Sequence, residues 1–279
     1  MTSAVAFALE AADGHRWQSV GRHPAHARAA LLWLPALGVA ARHYEPFADA
    51  LAEHGIAVLL HEWRGNGSSN LRPSRQCDWG YREILEQDLP VAHRQLRDWA
   101  AGVPLIIGGH SLGGQLACCY AGLHARDFSR LWLVASGTPW WRSFPPPRRY
   151  ALPAAYRFLP WLARWNGTLP GRQIGFGGTE ARGLIADWAR VGLSNRYAAR
   201  GMDQDLEAGM HALTLPTDAV LFEKDWLAPS QSLLALTSRM RGTTRLQVLS
   251  ASALGARADH FSWMKQPAAV AETLIGSST

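Results

Sequence analysis

Leu105–Gln115, LIIGGHSLGGQ, is the stretch whose reading decides the fold. A short apolar run turns sharply and continues as a helix of small and apolar residues from Leu112 to Ala125. Gly109-His110-Ser111-Leu112-Gly113 fits G-x-S-x-G, the pattern of a nucleophile elbow. A serine in such a turn sits in strained backbone between strand and helix. Its neighbours two residues away must lack side chains so that helix and strand can approach. The turn lifts the hydroxyl above the sheet edge and aims the N–H of Leu112, at the helix start, at any oxyanion forming there. With 26 glycines in the chain the five letters recur easily by chance, so the β-rich run 103–107 before them and the helix after them carry the reading.

Outward from the elbow, strands and helices alternate. Residues 29–34 and 56–60 are buried strands. Between them lies a helix over 44–54, with Phe47, Ala48, Leu51 and Ala52 at helical spacing and a stop at Gly55. Residues 4–10 and 16–21 pair around Asp13-Gly14. A polar loop, His61–Ser69, leads to a helix over 81–101 that contains Pro90. Further strands follow at 131–135, 218–223 and 245–249, with helices at 230–241 and 262–275. This alternation predicts an α/β domain with a mostly parallel sheet covered on both faces.

The chain has 279 residues, 48% hydrophobic and 18% charged, which suits one large domain with an insertion. No apolar run approaches the roughly 18 residues of a membrane span, and the N-terminal stretch lacks the basic start of a secretory signal. Three cysteines, two of them adjacent at Cys118 and Cys119, fit a reducing compartment, so a cytoplasmic location is expected. No Cys/His spacing points to a metal, and no cofactor is expected. His93–Asp98 fits H-x-x-x-x-D, but it falls mid-helix beside Arg94 and Arg97 and reads as a solvated face.

Over essentially its whole length the sequence resembles the α/β-hydrolase superfamily. Within it, the chain is similar to bacterial hydrolases related to serine aminopeptidases and monoglyceride lipases. The resemblance rests on GHSLGGQ and on Glu62–Ser69, which is similar to D-x-R-G-x-G-x-S with Glu62 in the usual aspartate position. It rests also on Gly167–Gly171 with Gly175–Gly178, and on Asp259-His260-Phe261-Ser262-Trp263. The resemblance implies an α/β-hydrolase fold: a mostly parallel eight-stranded sheet with helices on both faces. Residues 1–137 and 213–279 would be the core, and 138–212 an inserted helical cap. It implies the chain order serine, acid, histidine. Ser111 is then the nucleophile and His260, after the last strand, the base; His211 precedes the acid and is rejected by the order. Asp225, in the exit loop of strand 218–223, is the best match for the acid, with Glu223 a rival closer to the strand end. Asp259 reads as an N-cap, and Glu62 and Arg64 as braces for their loop. The oxyanion donors would be the N–H of Leu112 and that of Leu37 in the loop Pro35–Gly38, with Ala36 open if the loop is one residue tighter.

The insertion has an unusual composition. Trp140, Trp141, Phe144, Tyr150, Tyr156, Phe158, Trp161 and Trp165 lie between 138 and 170, with seven prolines, which predicts irregular structure or short helices there. A proper helix is expected at 181–191. Residues 138–212 hold ten arginines, no lysine and five acids, a net of +5 in a chain of +6. The bland reading is a solvated basic face over a small aromatic core of the insertion's own. The sharper one is a rim for anionic, greasy substrates or an anionic membrane surface. Nucleic acid is not expected, since no binding motif is present and the charge is confined to the insertion.

Together these observations predict a serine hydrolase that cleaves a carboxylic ester or thioester of a small-molecule acyl substrate, with a hydrophobic acyl group, through an acyl-enzyme. An acyltransferase on the same residues is a second enzymatic outcome. A non-catalytic small-molecule binding protein of the same fold is the reading from another class, and an intact serine, acid and histidine argues against it.

Overall fold

The computed structural model describes residues 3–276. Strands β1 (Ser3–Glu10), β2 (Arg16–His23), β3 (Ala29–Leu34), β4 (Ile56–Leu60), β5 (Leu105–His110), β6 (Arg130–Val134), β7 (Thr217–Phe222) and β8 (Thr244–Leu249) form one sheet. Their order is β1-β2-β4-β3-β5-β6-β7-β8. β1 pairs antiparallel with β2, and β2 with β4; every other neighbouring pair is parallel. The sequences explain the placement. β4 and β5 are buried at every position, as strands covered by helices on both faces must be. β1 and β8 bury only some of their residues and lie at the two edges.

The main helices are α1 (Glu45–Glu53), α2 (Leu89–Trp99), α3 (Leu112–Leu123), α4 (Arg148–Asn166), α5 (Arg182–Ser194), α6 (Leu206–Ala212), α7 (Ser230–Thr237) and α8 (Ala268–Gly276). Trp33, Tyr44, Phe47, Trp132 and Trp263 are fully buried between helices and sheet. The connection leaving the C-terminal end of β3 runs to β4 on one side, and that leaving its neighbour β5 runs to β6 on the other, so a crevice opens between the ends of β3 and β5. That crevice is where open α/β sheets place their ligands.

Four elements differ from the sequence expectations. Residues 81–101 run as a turn of helix, a π-helical stretch Ile84–Asp88 and α2 in unbroken succession, and the widened stretch ends just before Pro90, whose ring and missing N–H interrupt the regular ladder. Residues 262–275 split into a 3-10 turn, Ser262–Lys265, and α8, because Pro267 disfavours helical backbone at Gln266. The helix expected over 230–241 ends at Thr237. The first half of the insertion is not irregular: α4 runs nineteen residues with Pro153 and Pro160 inside it. The two prolines are seven residues apart and so fall on one side, which confines the lost hydrogen bonds to that side. Arg157 Nη1 donates to the Pro153 carbonyl at 3.0 Å.

Helical periodicity also corrects the expectation for His93. It shares the inner face of α2 with Leu89 and Leu96 and is buried, its ring stacked on Phe128 at 4.7 Å, while Arg94, Arg97 and Asp98 are exposed. Burial pushes the imidazole down to about 4.

Candidate active site

Ser111 sits between β5 and α3 with φ 55° and ψ −119°, backbone that side chains rarely adopt. The surroundings hold it there. Its N–H donates to the Val134 carbonyl at 3.1 Å, and its carbonyl accepts from Ser136 Oγ at 2.8 Å and from Gly114 N at 3.1 Å. The flanking glycines are steric requirements. A Cβ on Gly113 would lie 2.1 Å from the Leu34 carbonyl oxygen, and one on Gly109 would lie 2.4 Å from the Gly113 carbonyl carbon.

Asp225 and His260 meet. His260 Nδ1 is 2.7 Å from Asp225 Oδ2, with the carboxylate side chain fully buried. The other oxygen, Oδ1, accepts from the N–H groups of Leu227 at 2.9 Å and Ala228 at 3.2 Å, so the loop fixes the carboxylate and the carboxylate fixes the ring. Glu223 is exposed. Asp259 accepts from the Phe261 and Ser262 N–H groups and from Ser262 Oγ, which ties the turn that follows His260. The His260 ring packs on that of His110, the residue before Ser111, with centroids 4.8 Å apart.

The donors named for an oxyanion differ in availability. Ala36 N–H is occupied by Tyr44 Oη at 2.9 Å. Among the described residues, neither Leu37 N–H nor Leu112 N–H donates to a protein acceptor. Tyr44 Oη also pairs with His110 Nδ1 at 2.8 Å. Burial holds the His110 imidazole far below its ordinary value, hence neutral, so the tyrosine hydroxyl donates to it while accepting from Ala36. The loop after β3 and the elbow are thereby joined through one phenol. Sequence reading missed this link, since Tyr44 looked only like the start of a helix.

A cavity of about 550 Å³ opens on Ser111, Leu112 and Leu37. Its walls include Tyr156 and Phe158 of α4, Trp188 of α5, the segment 174–177, and Trp226 and Phe261, which follow Asp225 and His260 in the chain. Every lining residue is uncharged. The Tyr156 hydroxyl donates to the carbonyl of Pro139, another wall residue. No pattern in the sequence marked Trp188 or Trp226 as wall residues. The glycine-rich segment 175–178 lies over the loop after β3: a Cβ on Gly38 would be 2.2 Å from Gly178 N. Glu180, buried beside them, accepts from Gly178 N–H at 2.6 Å, and burial pushes its carboxyl up to about 7.

Elsewhere, Arg64 ties its loop by a bidentate pair to Asp88, both contacts 2.7 Å, and reaches Asp13 at 2.6 Å. Glu62 is buried and accepts from Ala41 N–H at 3.1 Å. Among the described residues, one cluster could offer a metal three ligands: His93, His124 and Asp127, with ligand atoms within 4.8 Å of one another. It stands at the C-terminal end of α3, roughly 20 Å along the helix from Ser111.

The solved structures that this architecture matches include an esterase from Exiguobacterium antarcticum, 16% identical, with a TM-score of 0.64 over 98% of this chain and 99% of that one. A Butyrivibrio proteoclasticus protein with ferulic acid bound is 14% identical, with a TM-score of 0.63 over 97% and 98%. A thermophilic esterase from Thermogutta terrifontis is 16% identical, with a TM-score of 0.62 over 99% and 98%. At these identities the likeness is one of fold. No curated protein matches the chain by sequence. The family model described as serine aminopeptidase, S33, matches residues 25–251, and the chain belongs to that family of the α/β-hydrolase superfamily.

Proposed function

We propose that the protein is a serine esterase or thioesterase for substrates with a hydrophobic acyl group. The observation that carries this reading is an uncharged cavity of about 550 Å³ that opens on Ser111 and is walled by Trp226 and Phe261, the residues next in the chain to the paired Asp225 and His260. Ser111 Oγ attacks the acyl carbonyl while His260 takes its proton, and Asp225 holds the imidazole in the required tautomer. The N–H groups of Leu112 and Leu37 stabilise the oxyanion. The leaving group departs with the proton from His260. Water, deprotonated by the same histidine, then releases the acid. The insertion acts as the cap that shapes the acyl site. Esterases among the structures with this fold fit the reading. Peptidase action on a free N-terminus fits it less well, because a buried α-ammonium needs a carboxylate partner and the cavity lining has none.

A panel of chromogenic esters and acyl thioesters of increasing chain length, with aminoacyl arylamides alongside, tests the proposal. Each methylene fully buried contributes about 0.8 kcal/mol, and half of that gives roughly tenfold in kcat/KM over four carbons. Medium-chain acyl groups are expected to exceed acetyl by about that factor, with the arylamides slower. An acetyl optimum with a steady decline along the series would overturn the hydrophobic-acyl assignment.

A further inference from the structure

Helix α4 is apolar on two sides. One side, with Tyr156, Leu159 and Ala163, turns toward α5 and Leu169. The other carries Tyr150, Phe158, Trp161 and Trp165, which are 65%, 51%, 56% and 71% exposed. Steps of three and four residues from 154 to 165 put the last three of these in one stripe. Their rings run in series, Phe158 to Trp161 at 5.7 Å and Trp161 to Trp165 at 6.2 Å. Arg157 and Arg164, one helical repeat of seven apart and both exposed, flank the stripe, and Arg148 and Arg149 stand at its N-terminal end. No acidic residue occurs between 138 and 179. The stripe reaches the cavity: Phe158 belongs both to it and to the cavity wall, and Arg148 lies 4.9 Å over the ring of Trp226, another wall residue.

We propose that this face of α4 docks on an anionic lipid bilayer and sets the cavity mouth against it. Tryptophan and tyrosine settle at the boundary between headgroups and acyl chains, where an apolar ring body and a polar tip are both accommodated. Arginines beside them pair with lipid phosphates. A two-fold contact with a second copy would instead set this arginine-only face against itself, with like charges opposed. That the acyl ester enters the cavity directly from the bilayer rests on the esterase reading; the docking itself does not.

Sedimentation with vesicles separates the two. The probes are phosphatidylcholine vesicles and phosphatidylcholine vesicles containing phosphatidylglycerol. The proteins are wild type, Ser111→Ala, the pair Trp161→Ser with Trp165→Ser, and the pair Arg157→Gln with Arg164→Gln. Wild type and Ser111→Ala are expected to bind the anionic vesicles at least about tenfold better than the neutral ones, and less well as salt is raised. The tryptophan pair should lose about tenfold or more in binding, and the arginine pair should lose the preference for anionic lipid. Both pairs should hydrolyse a water-soluble ester as wild type does. Wild type left in the supernatant with anionic vesicles, or the tryptophan pair sedimenting like wild type, would overturn the docking proposal. So would gel filtration in which wild type runs as a dimer and the tryptophan pair as a monomer, since the face would then belong to a second copy. Vesicle binding without turnover of any ester would leave docking standing and remove the esterase reading.

Discussion

Ser111 holds backbone angles that cost of the order of 1–3 kcal/mol, and the hydrogen bonds from Ser136 Oγ and to Val134 keep it there. The carboxylates after β7 are where residue-scale chemistry is most exposed to test. Asp225 and Glu223 stand two positions apart in one exit loop, so sequence alone left both open. The turn made by Asp225 N–H on the Phe222 carbonyl folds Asp225 inward and leaves Glu223 in solvent. Asp225→Asn keeps one acceptor for the Leu227 and Ala228 N–H groups but can offer an amide to His260, favouring the wrong tautomer. Turnover should fall by about 10³ to 10⁴, with Glu223→Gln close to wild type. Steady-state kinetics on one ester decide it, and the reverse order of damage would mean that Glu223 is the acid.

At the scale of elements, the strands were legible because covered parallel strands read as short continuous apolar runs, as in Ile56–Leu60 and Leu105–Ile107. Helix α4 was not, because its prolines read as breakers and nothing local shows that Pro153 and Pro160 share one side. The contact between the loop after β3 and the segment 175–178 was equally hidden, since it joins glycines some 140 positions apart in the chain. Glu180 sits at that contact. Burial raises its carboxyl to about 7, against the opposing Gly178 N–H and Arg172 charge. The folded protein therefore keeps a proton that the unfolded chain has released, and the contribution of Glu180 to stability is lost as pH rises from about 4.5 through about 7. Glu180→Gln keeps an acceptor for Gly178 and has no charge to bury. Its Tm relative to wild type should be higher at pH 8 than at pH 5. A difference that is the same at both pH values would show that Glu180 is not titrating in the folded state over this range.

For the molecule as a whole, the sequence reading located the positive charge but not how the aromatics divide. Almost all the net charge lies in 138–212, yet the cavity that this segment helps to wall is neutral. Tyr156 turns inward, whereas Trp161 and Trp165 turn out, a choice set by the phase of α4 that composition cannot show. Neutral interior and basic exterior suit a hydrophobic acyl group reacting at Ser111, which makes covalent trapping of that serine the decisive measurement. Intact-mass and peptide analysis after exposure to a fluorophosphonate should find a single adduct on Ser111. Labelling should be much slower in His260→Ala and absent in Ser111→Ala. A folded wild-type protein that takes up no label, or a Ser111→Ala protein labelled as fast as wild type, would contradict the assignment of Ser111 as the activated nucleophile.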